Sequence, residues 1–282
     1  MKSKKKSIYS ALPIYLFTGI FVVCPILYAL FLSFMTRTNT WAVEYTFTLQ
    51  NYADIFQGIY LDTFLTNLKL AVEVTVITAL LGYPAGLFIA QASPRLQKFF
   101  LLAQMLPFCI NSIVRLYSIM IVLRSGGPLG ELRLLYTDPA VLIAMIYAAL
   151  PFMTYSVYST AAKMDQASYE AARVLGAGRA RAFWTVTLPL TAKGLLTGVK
   201  FAFIAAMGLF FVATLFGGGK VLVFGNLIED QLMKVHNLPL AAALSIVLMI
   251  VTGLIITVTN ELDPVRITRR RSYRQSKKGG AR

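Results

Sequence analysis

Histidine, cysteine and acidic residues are scarce in this 282-residue chain. There is one histidine, His236, and there are two cysteines, Cys24 and Cys109, both in apolar runs. One imidazole and two thiols build neither a zinc cluster nor a disulfide framework. Asp and Glu together number 12, and charged residues make up 14% of the chain, against about 25% in soluble domains. Apolar residues reach 57%. A disordered chain is excluded, because it would need low hydrophobicity. A soluble globular enzyme is a poor fit. At roughly 20 apolar residues per span, the length accommodates six membrane helices and little else.

The net charge of +15 would suit a nucleic-acid binder if the cations lay on one face. They do not. Lys2, Lys4, Lys5 and Lys6 open the chain, eight Lys and Arg fill the last 17 residues, and the rest flank apolar runs. That is the pattern of a lipid bilayer protein with basic cytoplasmic loops, not of a nucleic-acid partner.

The expected spans follow from the runs. The first, residues 9–34, is too long for a signal-peptide core and is read as an uncleaved helix, kinked at Pro13 and Pro25. An acid-bearing outer segment, 37–65, follows. The second span is expected at 68–90 with Tyr83-Pro84 inside it, and the third at 99–123. The fourth is expected at 139–158, the fifth at 194–216 and the sixth at 240–259. Inner segments then hold 19 of the 27 basic residues and outer loops five, which places both termini in the cytoplasm. The division is a basic N-terminus, 1–8, a six-helix all-α membrane domain, 9–260, and a basic tail, 261–282.

The long inner segment, 161–193, is the most informative. Asp165 suits a helix N-cap, and residues 166–175 are Ala-rich without Gly or Pro. Gly176 and Gly178 can end the helix with positive φ. A second helix is expected over 179–187, with Pro189 opening the fifth span. Ala171 and Ala172 leave a shallow surface that a partner's groove could approach, with Glu170 as its charge. An interfacial amphipathic helix without a partner is the plainer alternative.

The spacing Glu170-Ala171-Ala172, three residues, Gly176, nine residues, Val186, one residue, Leu188-Pro189 resembles the EAA loop of ABC-importer permeases. Further segments are similar to permeases of the spermidine/putrescine importers. They are 47–52 (Phe-Thr-Leu-Gln-Asn-Tyr), Gly82-Tyr83-Pro84, Leu106-Pro107-Phe108, Asn111-Ser112 with Arg115 and Tyr117, 150–153 and 206–210. Cys109 departs from the aromatic residue usual there. The resemblance implies a type I importer permease in the bacterial inner membrane. Its coupling helix, with Glu170, Ala171, Ala172, Gly176, Leu188 and Pro189, would dock on an ATPase subunit. It also implies a second, similar permease, two ATPase copies that hold ATP and Mg, and an extracytoplasmic polyamine-binding protein. No cofactor is expected on this chain.

A polyamine pathway needs carboxylates or aromatic faces. Glu73 is the acid inside a span and so a candidate; a pair with Lys69 one turn away is the alternative. Tyr52, Phe108 and Tyr117 are aromatic candidates, against interfacial anchoring or packing. Asn111 could hydrogen-bond an ammonium or join two spans. Arg115 would repel a cation in a pore, which favours a structural or gating role. Glu229 and Asp230 are expected to face outward, toward a binding protein or solvent.

The rival classes are weaker. Gly217-Gly218-Gly219-Lys220 is no phosphate loop, since Thr214 stands at the first glycine position and Val221 follows the lysine. A membrane enzyme would need acids, histidines or an activated nucleophile clustered on one face. A passive channel has no use for a coupling helix.

Overall fold

A computed structural model describes residues 13–38 and 42–261. The expected basic N-terminus, 1–8, and nearly all of the tail, 261–282, lie outside these residues, and so does the placement of both termini. The described chain is mostly helical, with loops and one two-stranded hairpin that the all-α reading did not include. In it β1 (Thr36–Arg37) pairs antiparallel with β2 (Val43–Glu44).

Among the described residues five helices are long and apolar enough to cross a membrane: α1 (Pro13–Leu32), α3 (Gly58–Gln91), α6 (Asp138–Ala161), α8 (Arg179–Gly208) and α11 (Leu238–Glu261). A sixth crossing exists if one bent pair counts as a span. That pair joins α4 (Pro94–Met105), extended by a 3₁₀ turn (Leu106–Cys109), to α5 (Ser112–Leu123), with 100° between them. Short helices complete the chain: α2 (Gln50–Ile55), α7 (Gln166–Val174), α9 (Phe210–Gly217) and α10 (Phe224–Glu229).

Three expected boundaries change for local reasons. The third span is broken, not continuous. Pro107 tightens the chain into the 3₁₀ turn, Ile110 is extended, and Asn111 caps α5 by accepting the Ile113 N–H at 2.9 Å. The second span begins at Gly58, ten residues early, because the polar residues after Gly58 contain no breaker. The fifth span and the helix expected at 179–187 are one helix, α8. Pro189 lies near the start of its α-helical part behind a π-helical turn, Phe183–Thr187, so it does not interrupt the rod. The helix stops at Gly208, where Leu209 leaves helical geometry, and α9 continues separately. Pro25 likewise leaves α1 in one piece. The preceding turn, Gly19–Val23, widens to π form and the Cys24 N–H bonds the Gly19 carbonyl. The segment after Gly219, expected as a loop, forms α10 and a π-helical turn, Asp230–Lys234.

The described residues form two compact units. One comprises the described part of Met1–Thr63 with Asn226–Val251. Its joint is polar. Asn51 donates to the Ser33 and Met35 carbonyls at 2.9 and 2.8 Å, and Gln231 donates to the Tyr60 hydroxyl at 3.1 Å. No residue of its α1 before Leu32 is buried, as expected of a helix that is hydrophobic all round and offers itself to lipid or protein.

The other unit comprises Phe64–Gly225 with the described residues from Thr252. Its centre is α6, where Ala144, Met145, Ala149, Met153 and Val157 are fully buried. Two small-residue pairs let neighbours approach α6 closely. A Cβ on Gly86 of α3 would lie 2.7 Å from the Thr154 carbonyl oxygen, and one on Gly82 would lie 2.6 Å from Met153 Cγ. A Cβ on Gly194 of α8 would lie 2.6 Å from the Ser156 carbonyl, and one on Gly198 would lie 3.0 Å from Met153 Cα. Both pairs follow the G-x-x-x-G spacing that suits contact without large side chains inside a bilayer. Tyr83 and Thr191 share a hydrogen bond at 2.8 Å between α3 and α8.

Candidate functional site

Helix α7 is built as its sequence dictates. Asp165 Oδ1 accepts the Ala167 N–H at 3.0 Å, satisfying one free donor at the helix start. At the other end the Gly176 N–H bonds the Arg173 carbonyl and the Ala177 N–H bonds the Ala172 carbonyl, both at 3.0 Å. This is a Schellman closure, and it requires Gly176 in the left-handed region, at φ +84°. Gly178 does not share that role: its φ is −62°, and it serves as N-cap of α8. The expected positive φ there is corrected, because a single left-handed residue already closes the helix.

The exposed face of α7 is its main feature. Glu170 and Ala171 are exposed, Ala172 is half-buried, and Val174 and Leu175 are each 87% exposed. Glu170 makes no ion pair among the described residues. A Cβ on Gly176 would meet nothing within 4 Å. Leu188 is half-buried and Pro189 exposed. An acid, small residues and two bare aliphatic side chains thus share one short helix that this chain leaves uncovered.

The pathway candidates are not gathered in one place. Glu73 pairs with Lys69 at 3.9 Å, with side chains 46% and 79% exposed. This is the i,i+4 alternative, and it leaves the carboxylate facing out of the chain. Tyr52 belongs to the first unit, where its hydroxyl shares a 2.7 Å hydrogen bond with Ser33 and its ring packs on Phe34 at 5.3 Å. Asn111 spends its side-chain oxygen on the α5 cap. Tyr117 is 46% exposed on α5.

Phe108 is already engaged. The Arg115 guanidinium lies over its ring at 4.3 Å and 5.8 Å from the Tyr147 ring. One terminal nitrogen of Arg115 donates to the Pro107 carbonyl at 3.2 Å, while its Nε is buried without a hydrogen-bond partner. Phe108 meets Phe152 edge-on at 5.3 Å, and Phe152 stacks on Phe201 at 6.2 Å. Phe201 also lines a cleft of about 680 Å³, together with Tyr155, Lys163, Lys193 and Thr197. Phe152 and Phe201 were not among the sequence candidates. Phe152 stood inside a resembling segment, but no linear pattern pairs it with residue 201.

Among the described residues no cluster of His, Cys, Asp and Glu could hold a metal ion. On the π-helical turn, Asp230 receives Lys234 at 2.6 Å. That hydrogen bond and the carboxylate charge hold the exposed ammonium above its ordinary pKa.

Five helices long and apolar enough to cross a membrane, a broken third span and a capped, uncovered short helix define a polytopic membrane protein. Residues 82–262 match the family described as the binding-protein-dependent transport system inner membrane component, and the chain belongs to that family. Among curated proteins it is 36% identical to the spermidine/putrescine transport system permease protein PotB of Salmonella typhimurium (strain SL1344), over 85% of this chain and 87% of that one. It is also 36% identical to PotB of Escherichia coli (strain K12), over 85% and 91%. Among solved structures it resembles a chain of a bacterial alginate ABC transporter in complex with an alginate pentasaccharide-bound periplasmic protein. The TM-score is 0.71 at 16% identity, covering 93% of this chain and 94% of that one. At that identity the likeness is one of fold.

Proposed function

We propose that this chain is one of two permease subunits of an ABC importer for polyamines, spermidine and putrescine among them. The observation that carries the cargo is the 36% identity, over 85% of the chain, to permeases named for those two molecules. Fold alone could not assign it, since the structural neighbour serves alginate. The second permease completes the pore, two ATPase copies bind ATP and Mg, and an extracytoplasmic binding protein delivers the polyamine. Both termini lie in the cytoplasm, as the basic residues favour.

In this reading α7 is the coupling helix. Glu170, Ala171, Ala172 and Gly176 meet the ATPase, and Leu188 and Pro189 join the contact to the long helix behind it. Closure of the ATPase pair moves α7, and α8 carries the motion into the membrane without a break at Pro189. The uncovered Val174 and Leu175 support this role. Two large aliphatic side chains left 87% exposed gain on the order of 1.5–3 kcal/mol each when a partner buries them.

The test is uptake of labelled spermidine into cells that carry the whole transporter, with and without this chain, other polyamine importers being absent. Loss of uptake without the chain is expected, with competition by putrescine. Unchanged uptake, with the complex assembled, would assign another cargo such as ferric iron, thiamine, phosphonate or an opine.

A further inference from the structure

Phe108, Phe152 and Phe201 form a connected series of rings across three elements: the 3₁₀ turn, α6 and α8. The upper ring carries a guanidinium, Arg115, at 4.3 Å. The lower ring opens on the 680 Å³ cleft. Phe152 and Phe201 are 44% and 51% exposed, so their rings are reachable from outside the chain.

We infer that these three rings are a ladder for ammonium groups, and that Arg115 is a tethered cation occupying its first rung until the cargo displaces it. The inference rests on the polyamine reading above. The chain itself shows what the first rung accepts, since a planar cation already sits on Phe108 within the range of cation–π attraction. The seat is a weak one. Arg115 has no carboxylate partner among the described residues, its one hydrogen bond is to the Pro107 carbonyl, and its buried Nε is unsatisfied. A guanidinium locked for structure alone would satisfy its donors. A poorly satisfied one can leave when a better cation arrives.

The chemistry selects polycations. A single ammonium gains about as much on Phe108 as Arg115 does, so exchange is near neutral. A polyamine reaches two or three rungs at once, because neighbouring ring centres are 5.3 and 6.2 Å apart. Only the molecule with several charges displaces the tethered cation at a net gain. Beyond Phe201 the cleft carries two ammonium groups, Lys163 and Lys193, against one carboxylate, Asp165, so its net charge does not favour a polyamine lodging there.

The experiment uses the assembled transporter in proteoliposomes, with labelled spermidine and saturating binding protein. Arg115→Gln frees the first rung and is expected to lower the KM for uptake by roughly two- to thirtyfold, the span of one cation–π contact. Phe152→Leu and Phe201→Leu keep apolar bulk and are each expected to raise KM by a similar factor, the amount of assembled complex being equal. Arg115→Lys, which keeps a cation, is expected to stay near the wild-type KM. If Arg115→Gln fails to assemble, the two leucine variants decide. Wild-type uptake with KM unchanged in both leucine variants overturns the ladder and leaves the polyamine reading intact. Absence of spermidine uptake by the wild-type complex overturns both.

Discussion

Replacing Gly176 by aspartate separates the fold of α7 from its use. The residue sits at φ +84° to close the helix. A side chain there pays the left-handed strain, on the order of 1 kcal/mol, and Asp and Asn tolerate that region better than most residues. Nothing in the chain lies within 4 Å of the new Cβ, so no packing term is added. Set against a typical stability of about 5–15 kcal/mol, the change leaves insertion, assembly and thermal unfolding close to wild type. A carboxylate would nevertheless stand beside Ala171 and Ala172, on the face where the ATPase is proposed to dock. An unpaired charge in such an interface costs several kcal/mol, or uptake lowered about a hundredfold or more. Uptake and ATP hydrolysis are measured in proteoliposomes beside the melting temperature. Gly176→Asn, neutral and tolerant of the same backbone, is expected to fall between the two. Uptake by Gly176→Asp within twofold of wild type, at equal complex, would refute the assignment of this face to coupling.

Other outcomes follow from named contacts. Gly86→Val drives a branched side chain into the Thr154 carbonyl, 2.7 Å from the Cβ position, and is expected to destabilise by about 1–3 kcal/mol; Gly253→Ala, with nothing within 4 Å, is expected to leave the melting temperature unchanged. Asp165→Ala removes the cap on Ala167 and is expected to cost about 0.5–2 kcal/mol of local helix stability, read as faster hydrogen exchange over 166–170. Glu73→Gln is expected to change spermidine transport kinetics more than assembly; identical kinetics would return Glu73 to its pair with Lys69.

Local signals in the sequence were legible where a local cause sets the structure. Asp165 caps because a short carboxylate precedes a breaker-free, Ala-rich run, and Gly176 closes the helix because glycine enters the left-handed region at little cost. The apolar runs located the first, second, fourth and sixth membrane helices within several residues of their centres, whereas the fifth was placed more than ten residues too late, its helix being Arg179–Gly208. Their ends were less legible, since hydrophobicity marks what lipid can cover and not where the backbone stops coiling. Gly58 and Arg179 therefore start helices well before the apolar stretches begin. The break in the third span had a written cue, Pro107 followed by Asn111, but hydropathy averages across both. The pairs Gly82/Gly86 and Gly194/Gly198 were readable as a spacing, yet their meaning depends on Met153 and Ser156 lying opposite. Arg115 over Phe108 was beyond reach. The contact exists because the chain turns by 100° between them, and residues seven apart would otherwise stand two turns away along one rod.

In the proposed function this subunit carries polyamines through a pore driven by a partner's ATP hydrolysis. Its most direct test is accumulation of labelled spermidine in proteoliposomes holding the purified complex, with binding protein outside and ATP supplied on the ATPase side. Accumulation is expected to need ATP and to disappear when this chain is omitted. Spermidine retained equally without ATP, or without this chain, would contradict it.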